Sequence, residues 1–484
     1  MDQWSGASPF FGAMPTWISA ADARRISAYQ LYEEMYWNTS DAYNIVLRGD
    51  TQNPVYVPTA MAMVEATARY LCREWTYGIT PTGTDVDRTR LYETLDAFFR
   101  RERVRGKFSY QKRHALIRGD AVWHIVADPS KPAGSRISLN TVDPGMYFPI
   151  MDPFDDSKRI GCHIVEQWPA ERGRTIIKRQ TWRKTDIGVT YSLTWWKLDG
   201  WDDRSGSGQQ LEQVPPPAGQ SEIDEVLLPA PITALPVYHV KNGDTGDLYG
   251  SSEIRGVERA ISSISQAVSD TELALALEGL GLYVTTSGPP VDDDGNETEW
   301  ELGPGFVAEI DPDSRWERVA GVSSVEPAIT YVDYIESKIM AAKGVPDIAL
   351  GAVDTQTAES GIALQLKMDP LLAKNAEKEE EIIGVTDNLL YDLVTMWFPA
   401  YEDLSFGEAR AVSVVGNPLP ENRKSILDEI LSLVDKKIIS LEYARQLVSE
   451  RLGYTIPADT GAQVANEATA LDAFAVRVDS ELNG

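Results

Sequence analysis

The stretch from Leu248 to Lys374 constrains this chain most, because its pattern admits two long helices joined by a segment that cannot be helical. After Gly250-Ser251-Ser252-Glu253, apolar residues fall at Ile254, Val257, Ile261, Ile264, Val268 and Leu275. Steps of three, four and seven place them along one side of a helix. Ser262, Ser263, Ser265, Gln266 and Ser269 occupy the other side, which reads as the polar face. An excursion rich in glycine and acid follows from Gly279 to Gly321. A second helix then starts at Pro327 and carries Ile329, Val332, Ile335 and Ile339 to Lys343. A polar break from Asp354 to Gly361 precedes a third helix. Two helices with a module at one end and an adjustable segment at the other have the layout of a mechanical or channel element.

The excursion itself needs help to fold. Between Val291 and Ala320 ten acids stand against Arg315 and Arg318. The apolar residues Trp300, Leu302, Phe306, Val307, Ile310 and Trp316 are spaced for short strands around Gly-Pro-Gly turns. A β module this small cannot bury its own core, so neighbours must complete it, which argues for an oligomer.

Charge narrows the functional classes. The 484 residues hold 45 basic and 73 acidic side chains, for a net charge of −28. A protein that grips phosphates displaces counterions with basic surface, whereas this one repels nucleic acid over most of its area. Any nucleic-acid role is therefore passage or guidance. Cys72 and Cys162 lie far apart and read as buried free thiols of a reducing compartment. Met1 to Pro15 has neither the basic start nor the apolar core of a secretory signal. No apolar run reaches the roughly 18 residues of a membrane span, so no membrane partner is expected. The chain reads as made in the cytoplasm and used there or in something assembled there.

The remaining elements give an α+β fold with helices first and an antiparallel sheet after. Ser19 caps a helix bearing Ile26, Tyr29, Leu31, Tyr32 and Met35. Further helices are expected over Thr59–Cys72 and Asp87–Arg101, and Lys107–Leu116 also suits a helix. Strands are expected at Ala121–Val126, Cys162–Trp168, Thr175–Trp182, Thr190–Leu198 and Leu235–Val240, where Trp, Tyr or β-branched residues alternate with polar ones. Gly361 to Trp397 forms a long helix in which Asp369-Pro370 should introduce a kink. A strand at Ala411–Val415 precedes the boundary Asn417-Pro418-Leu419-Pro420. Two helices follow within Ser425–Leu452, with Ser440 as N-cap of the second.

The chemical motifs of common enzymes are missing from this sequence. There is no Gly-x-x-x-x-Gly-Lys loop and no Gly-x-Ser-x-Gly elbow. His114, His124, His163 and His239 stand singly, without the spacing of a zinc site. Asp292-Asp293-Asp294-Gly295-Asn296 fails as a calcium loop because its glycine comes too early. The chain is expected to be no enzyme and to need neither cofactor nor metal.

Several short segments, in their order and spacing over about 400 residues, resemble the portal proteins of tailed bacteriophages, the head–tail connectors of siphophage type. They are Gly119-Asp120-Ala121, Asp143-Pro144-Gly145-Met146-Tyr147, Leu235-Pro236-Val237, Tyr249-Gly250-Ser251-Ser252-Glu253-Ile254, Gly344-Val345-Pro346 and Ser360-Gly361-Ile362-Ala363-Leu364. The resemblance implies a dodecameric ring at one capsid vertex of the virion, assembled in the host cytoplasm. Its tunnel would carry double-stranded DNA during packaging and ejection. Its partners would be further copies of the chain, the major capsid protein, a terminase and a head–tail adaptor.

Carried onto this chain, the resemblance implies a wing at 1–250, a first stem helix at 251–277 and a clip at 278–322. A second stem helix at 323–343, a tunnel loop at 344–360, a return to the wing at 361–420 and a crown with its tail at 421–484 complete it. Lys338, Lys343, Asp354, Thr355, Gln356 and Thr357 become candidates for facing DNA in the channel. Asp292, Asp293, Asp294, Trp300 and Phe306 become candidates for docking at the clip. Two other classes compete: another virion structural protein, such as a capsid or adaptor protein, and an acidic, Trp-rich carbohydrate-active hydrolase.

Overall fold

A computed structural model describes residues 19–48, 52–169, 175–198, 211–243, 246–280, 282–290, 297–298, 310, 312–319, 325–351, 361–418, 423–440, 443–444 and 447–448. The chain divides into two units, Met1–Gly416 and Asn417–Gly484.

The first unit opens with α1 (Ala20–Tyr36), α2 (Thr59–Tyr70), β1 (Thr76–Ile79), α3 (Asp85–Glu102) and α4 (Val104–Arg118). Next come β2 (Asp120–Ala127), β3 (Ile137–Val142), β4 (Tyr147–Asp152), β5 (Asp155–Pro169), β6 (Thr175–Thr185) and β7 (Gly188–Leu198). After β8 (Leu211–Gln213), β9 (Ile223–Leu227) and β10 (Val237–Lys241) the chain enters α5 (Glu258–Leu280), β11 (Leu282–Thr285), β12 (Trp316–Val319) and α6 (Glu326–Ala342). It finishes with α7 (Gly361–Asp392), a π-helical turn at Leu393–Trp397, α8 (Phe398–Glu402) and β13 (Ala411–Val414). The second unit contributes α9 (Arg423–Asp435).

Helix starts follow local chemistry. The Ser19 hydroxyl accepts the Asp22 N–H at 3.0 Å, and Thr84 Oγ1 accepts that of Asp87 at 3.1 Å, so each supplies a partner for an orphan donor of the first turn. In the second unit Ser440 Oγ accepts the Tyr443 N–H at 3.2 Å, which makes it the expected N-cap. Ile430 and Ala444 form the small core there.

The sheets are antiparallel. The larger one runs β4-β5-β6-β7-β8, with β9 also on β7, and a smaller one runs β10-β2-β3. Val122, Tyr147, Cys162, Ile164, Trp182, Val189, Leu235 and Val237 form the core that joins these two sheets. Ile26 of α1 packs with Val165 and Ile177 against the larger sheet. Cys72 and Cys162 are free and buried, and burial pushes both thiols up to about 12.

One expectation about the helix pair changes. The first helix starts at Glu258, seven positions later than Ser251, because residues 251–257 form turns and Gly256 sits at φ +88°. The apolar stripe nevertheless continues through those turns: Ile254, Ile261 and Ile264 are fully buried, each worth about 1.5–3 kcal/mol by transfer from water. The serine face of α5 is also not left to solvent. An extended segment runs along it, with Ser269 Oγ accepting the Val55 N–H at 2.8 Å and Ser265 Oγ accepting the Val57 N–H at 3.2 Å. Gln266 Oε1 accepts the Val46 N–H, and Gln52 Nε2 donates to Ser269 O. Ser265 and Ser269 are fully buried as a result.

The third helix also departs from expectation. It is not interrupted at Asp369-Pro370 but runs helical through them, and a π-helical turn containing buried Leu393, Val394 and Trp397 follows it. Proline costs one donor, and the many bonds on either side keep α7 helical.

Replacing Ser269 with Ala removes the acceptor for the Val55 N–H. The variant should lose about 1–3 kcal/mol in chemical denaturation. Amide exchange at Val55 should speed up while that of α4 stays unchanged.

Candidate functional site

Four of the short segments, Gly119–Ala121, Asp143–Tyr147, Leu235–Val237 and Tyr249–Ile254, meet in one buried joint, where the chain leaves β10 and turns into α5. Helix α4 ends when Gly119 adopts φ +100° and donates its N–H to Ala115 O at 2.8 Å. The Gly119 carbonyl then accepts the Asn242 N–H at 2.8 Å, and Gly250 packs directly against it. A Cβ on Gly250 would stand 2.6 Å from Asn242 N and closer still to Gly119 O, so only glycine fits. Two more bonds fix the following turns: Glu253 N–H donates to Leu116 O at 2.9 Å, and Ser252 Oγ donates to Ile117 O.

Asp120 sits at the centre of the joint with its side chain fully buried. Its carboxylate accepts from the Tyr29 hydroxyl and from the Gly250 N–H at 2.8 Å, and His239 Nε2 lies 2.7 Å from Oδ1. Around it, Arg25 donates to Pro144 O at 2.7 Å and Tyr147 O at 3.2 Å, and its guanidinium lies 4.1 Å from the Tyr249 ring centroid. Tyr249 in turn donates to Asp22 at 3.1 Å. Burial works against the charge of Arg25, but Tyr29, Tyr249 and Asp22 outweigh it and hold the guanidinium above its ordinary range. Buried Arg118 is paired with Glu33 and Asp143. The joint thus uses residues from α1, α4, β2, the Asp143–Tyr147 turn and the Tyr249–Ile254 approach to α5. Pro236 joins through its carbonyl, which accepts the Ile125 N–H at 2.9 Å.

A second buried acid lies beside the joint. Glu253 accepts from Lys374 Nζ at 3.0 Å, from Lys378 Nζ and from Asn242 Nδ2 at 3.3 Å. Lys374 Nζ also donates to Lys343 O at 2.7 Å, which fastens the end of α6 to α7. Lys343 Nζ donates to Arg255 O at 2.7 Å. Asn242, Glu253, Lys343, Lys374 and Lys378 line an open cleft of about 470 Å³. Burial pushes Lys374 down to about 8 and Lys378 down to about 7, while the Glu253 carboxylate between them favours their charged forms.

The structure separates the two lysine candidates. Lys343 lines the cleft, whereas Lys338 is exposed on α6 with its ammonium 5.2 Å from the ring centroid of Tyr334. Asp354, Thr355, Gln356, Thr357, Asp292, Asp293, Asp294, Trp300 and Phe306 lie outside the described residues. What the sequence reading missed is the pairing of Glu253 with Lys374 and Lys378. The i,i+4 spacing of the two lysines was its one visible sign. Burial holds His114 and His124 down to about 3 and His163 down to about 4. Among the described residues no group of His, Cys, Asp and Glu could hold a metal ion, and no described helix is long and apolar enough to cross a membrane.

No family model matches the chain, and no curated protein does. Among solved structures, it is similar to a chain in the virion of a native gene transfer agent particle. That match has 12% identity and a TM-score of 0.41, and covers 94% of this chain and 96% of that one. It is also similar to a chain in the neck of an empty gene transfer agent particle, with 14% identity and a TM-score of 0.44, over 81% of this chain and 90% of that one.

The joint makes a sharp prediction about two glycines. Gly250→Ala should lower stability by about 3 kcal/mol or more, since the clash is with backbone. Gly106→Ala, in α4 with open space around it, should be neutral or stabilising by up to about 1 kcal/mol. Thermal melts of the two variants beside the parent chain check both.

Proposed function

We propose that the chain is a virion structural protein of the portal type, a subunit of a ring through which double-stranded DNA passes. The observation that carries the reading is the helix–strand–excursion–strand–helix element and its root. Helices α5 and α6 pack on each other, and β11 pairs antiparallel with β12 from Leu282↔Val319 to Thr285↔Trp316. The element is fixed at one end by the joint that four of the portal-like segments build. Near that root, Ile261, Ile264, Ile339 and Met340 are buried. Away from it, Leu275, Ile329, Tyr331 and Tyr334 are exposed. Apolar side chains left open along a helix pair, in a chain this acidic, suit coverage by further copies of the same pair.

On this reading, α5 and α6 are the paired stem helices, and residues 278–322 are the clip with Asp292, Asp293, Asp294, Trp300 and Phe306 as docking residues. Residues 344–360 are the tunnel loop, in which Asp354, Thr355, Gln356 and Thr357 form a polar collar around the duplex, and Lys338 and Lys343 are its nearby cations. The wing takes in residues 1–250 and 361–420, and the crown 421–484. The ring is a dodecamer whose partners are the major capsid protein, a terminase and a head–tail adaptor. It performs no catalysis of its own. The net charge of −28 keeps a duplex hydrated and mobile within such a wall.

Native mass spectrometry and negative-stain imaging of the full chain test the reading, with a ring around a central hole as the expected species. The double variant Ile329→Asp, Tyr331→Asp should abolish rings and leave the thermal midpoint of the isolated subunit nearly unchanged, because both side chains are exposed. A chain that stays monomeric at high concentration and forms no ring in particles would overturn it.

A further inference from the structure

We propose that the cleft between the approach to α5, the end of α6 and the middle of α7 is a binding site for a phosphate group. Three ammonium groups line it, from Lys343, Lys374 and Lys378, against the single carboxylate of Glu253. The nearby pair Arg255 and Glu258 adds one charge of each sign on the α5 side. The α2 neighbour Thr67 is uncharged, with Oγ1 3.5 Å from Lys374 Nζ. With all three lysines protonated the cleft carries two positive charges more than negative ones, in a chain whose net charge is −28, the complement of a phosphate dianion.

The donor inventory agrees. An ammonium has three N–H donors. Lys378 Nζ spends one on Glu253, and Lys343 Nζ spends one on Arg255 O. Both therefore keep donors for a guest. Ammonium groups are compact point charges with freely turning donors, and they bind phosphate in that way, without the two parallel bonds of a guanidinium fork. The cleft, at about 470 Å³, holds such a group together with whatever it is attached to. Free inorganic phosphate and the phosphodiester of a nucleic-acid backbone present the same chemistry. The site lies within one chain and stands whether or not copies assemble in a ring.

Proton linkage gives the site a signature. Lys378 and Lys374 titrate at about 7 and about 8 in the empty cleft because burial disfavours their charged forms. A bound anion restores those charges, so binding takes up protons and weakens as pH rises from the neutral range to about 9.

Titration calorimetry of the full chain with inorganic phosphate, in two buffers of different ionisation heat, reads binding and proton uptake together. A dithymidine phosphodiester is titrated in parallel. Lys343→Gln should weaken phosphate binding about tenfold or more with the thermal midpoint unchanged. Lys378→Met should do the same if it folds, and Lys343→Gln decides the matter if it does not. Loss of binding for both probes in Lys343→Gln identifies a nucleic-acid backbone site. Binding of inorganic phosphate alone identifies a free-anion site. Neither probe binding at tens of millimolar, or binding that Lys343→Gln leaves untouched, would overturn the proposal.

Discussion

The approach of two glycine backbones, Gly119 and Gly250, is the constraint on which the rest of the first unit depends. It lets the Gly250 N–H reach the carboxylate of Asp120 at 2.8 Å, and so brings the start of the helix pair under a strand of the central core. A buried carboxylate is expensive unless donors surround it. Here Tyr29 from α1, His239 from β10 and the Gly250 backbone surround it. Three elements distant in sequence are thus tied to one charge, and loss of any one donor leaves the other two holding an under-solvated acid.

Glu253 repeats the logic three residues on with a different outcome. Its partners are two lysines that line an open cleft. Asp120 is fully enclosed and its geometry is fixed by ring hydroxyl, imidazole and backbone. The first acid sets position. The second joins α5 to α7, and through Lys374 to the end of α6, while leaving the surrounding cations partly unspent.

Much of this fold is legible in the sequence. The second helix of the pair was readable almost to the residue, because Pro327 marks a first turn and the apolar period is clean. The strands β5, β6 and β7 were visible through alternation of large and polar residues, whereas β1, β3 and β4 were hidden, being short or interrupted by Pro149 and Asn140. The serine face of α5 shows in the sequence as polar, but nothing local tells that another backbone satisfies it. The apolar spacing of Ile254 and Val257 continues into turns that only Gly256 betrays, so the pattern places the start of the first helix too early. For the site, the segments could be found one by one. That they converge is a long-range fact that no local pattern carries. Lys338 and Lys343, five positions apart, looked equivalent and prove to have different surroundings.

The graded burial of the helix pair makes it a cantilever. Its root is clamped by two buried acids and the backbone approach of two glycines, bonds from Val46, Gln52, Val55 and Val57 hold α5 as far as Ser269, and past that point α5 and α6 pack on each other. The 23 residues of α5 span roughly 35 Å at about 1.5 Å each. Past Ser269 the free arm is roughly 15 Å, and a tilt of about 5° there would carry the far end through roughly 1 Å, while hardly moving Ile254 or Ile261. Stiffness in such a beam is decided where it is held, so substitutions around Gly250, Glu253 and Ser269 should govern motion at β11 and β12, which they never touch.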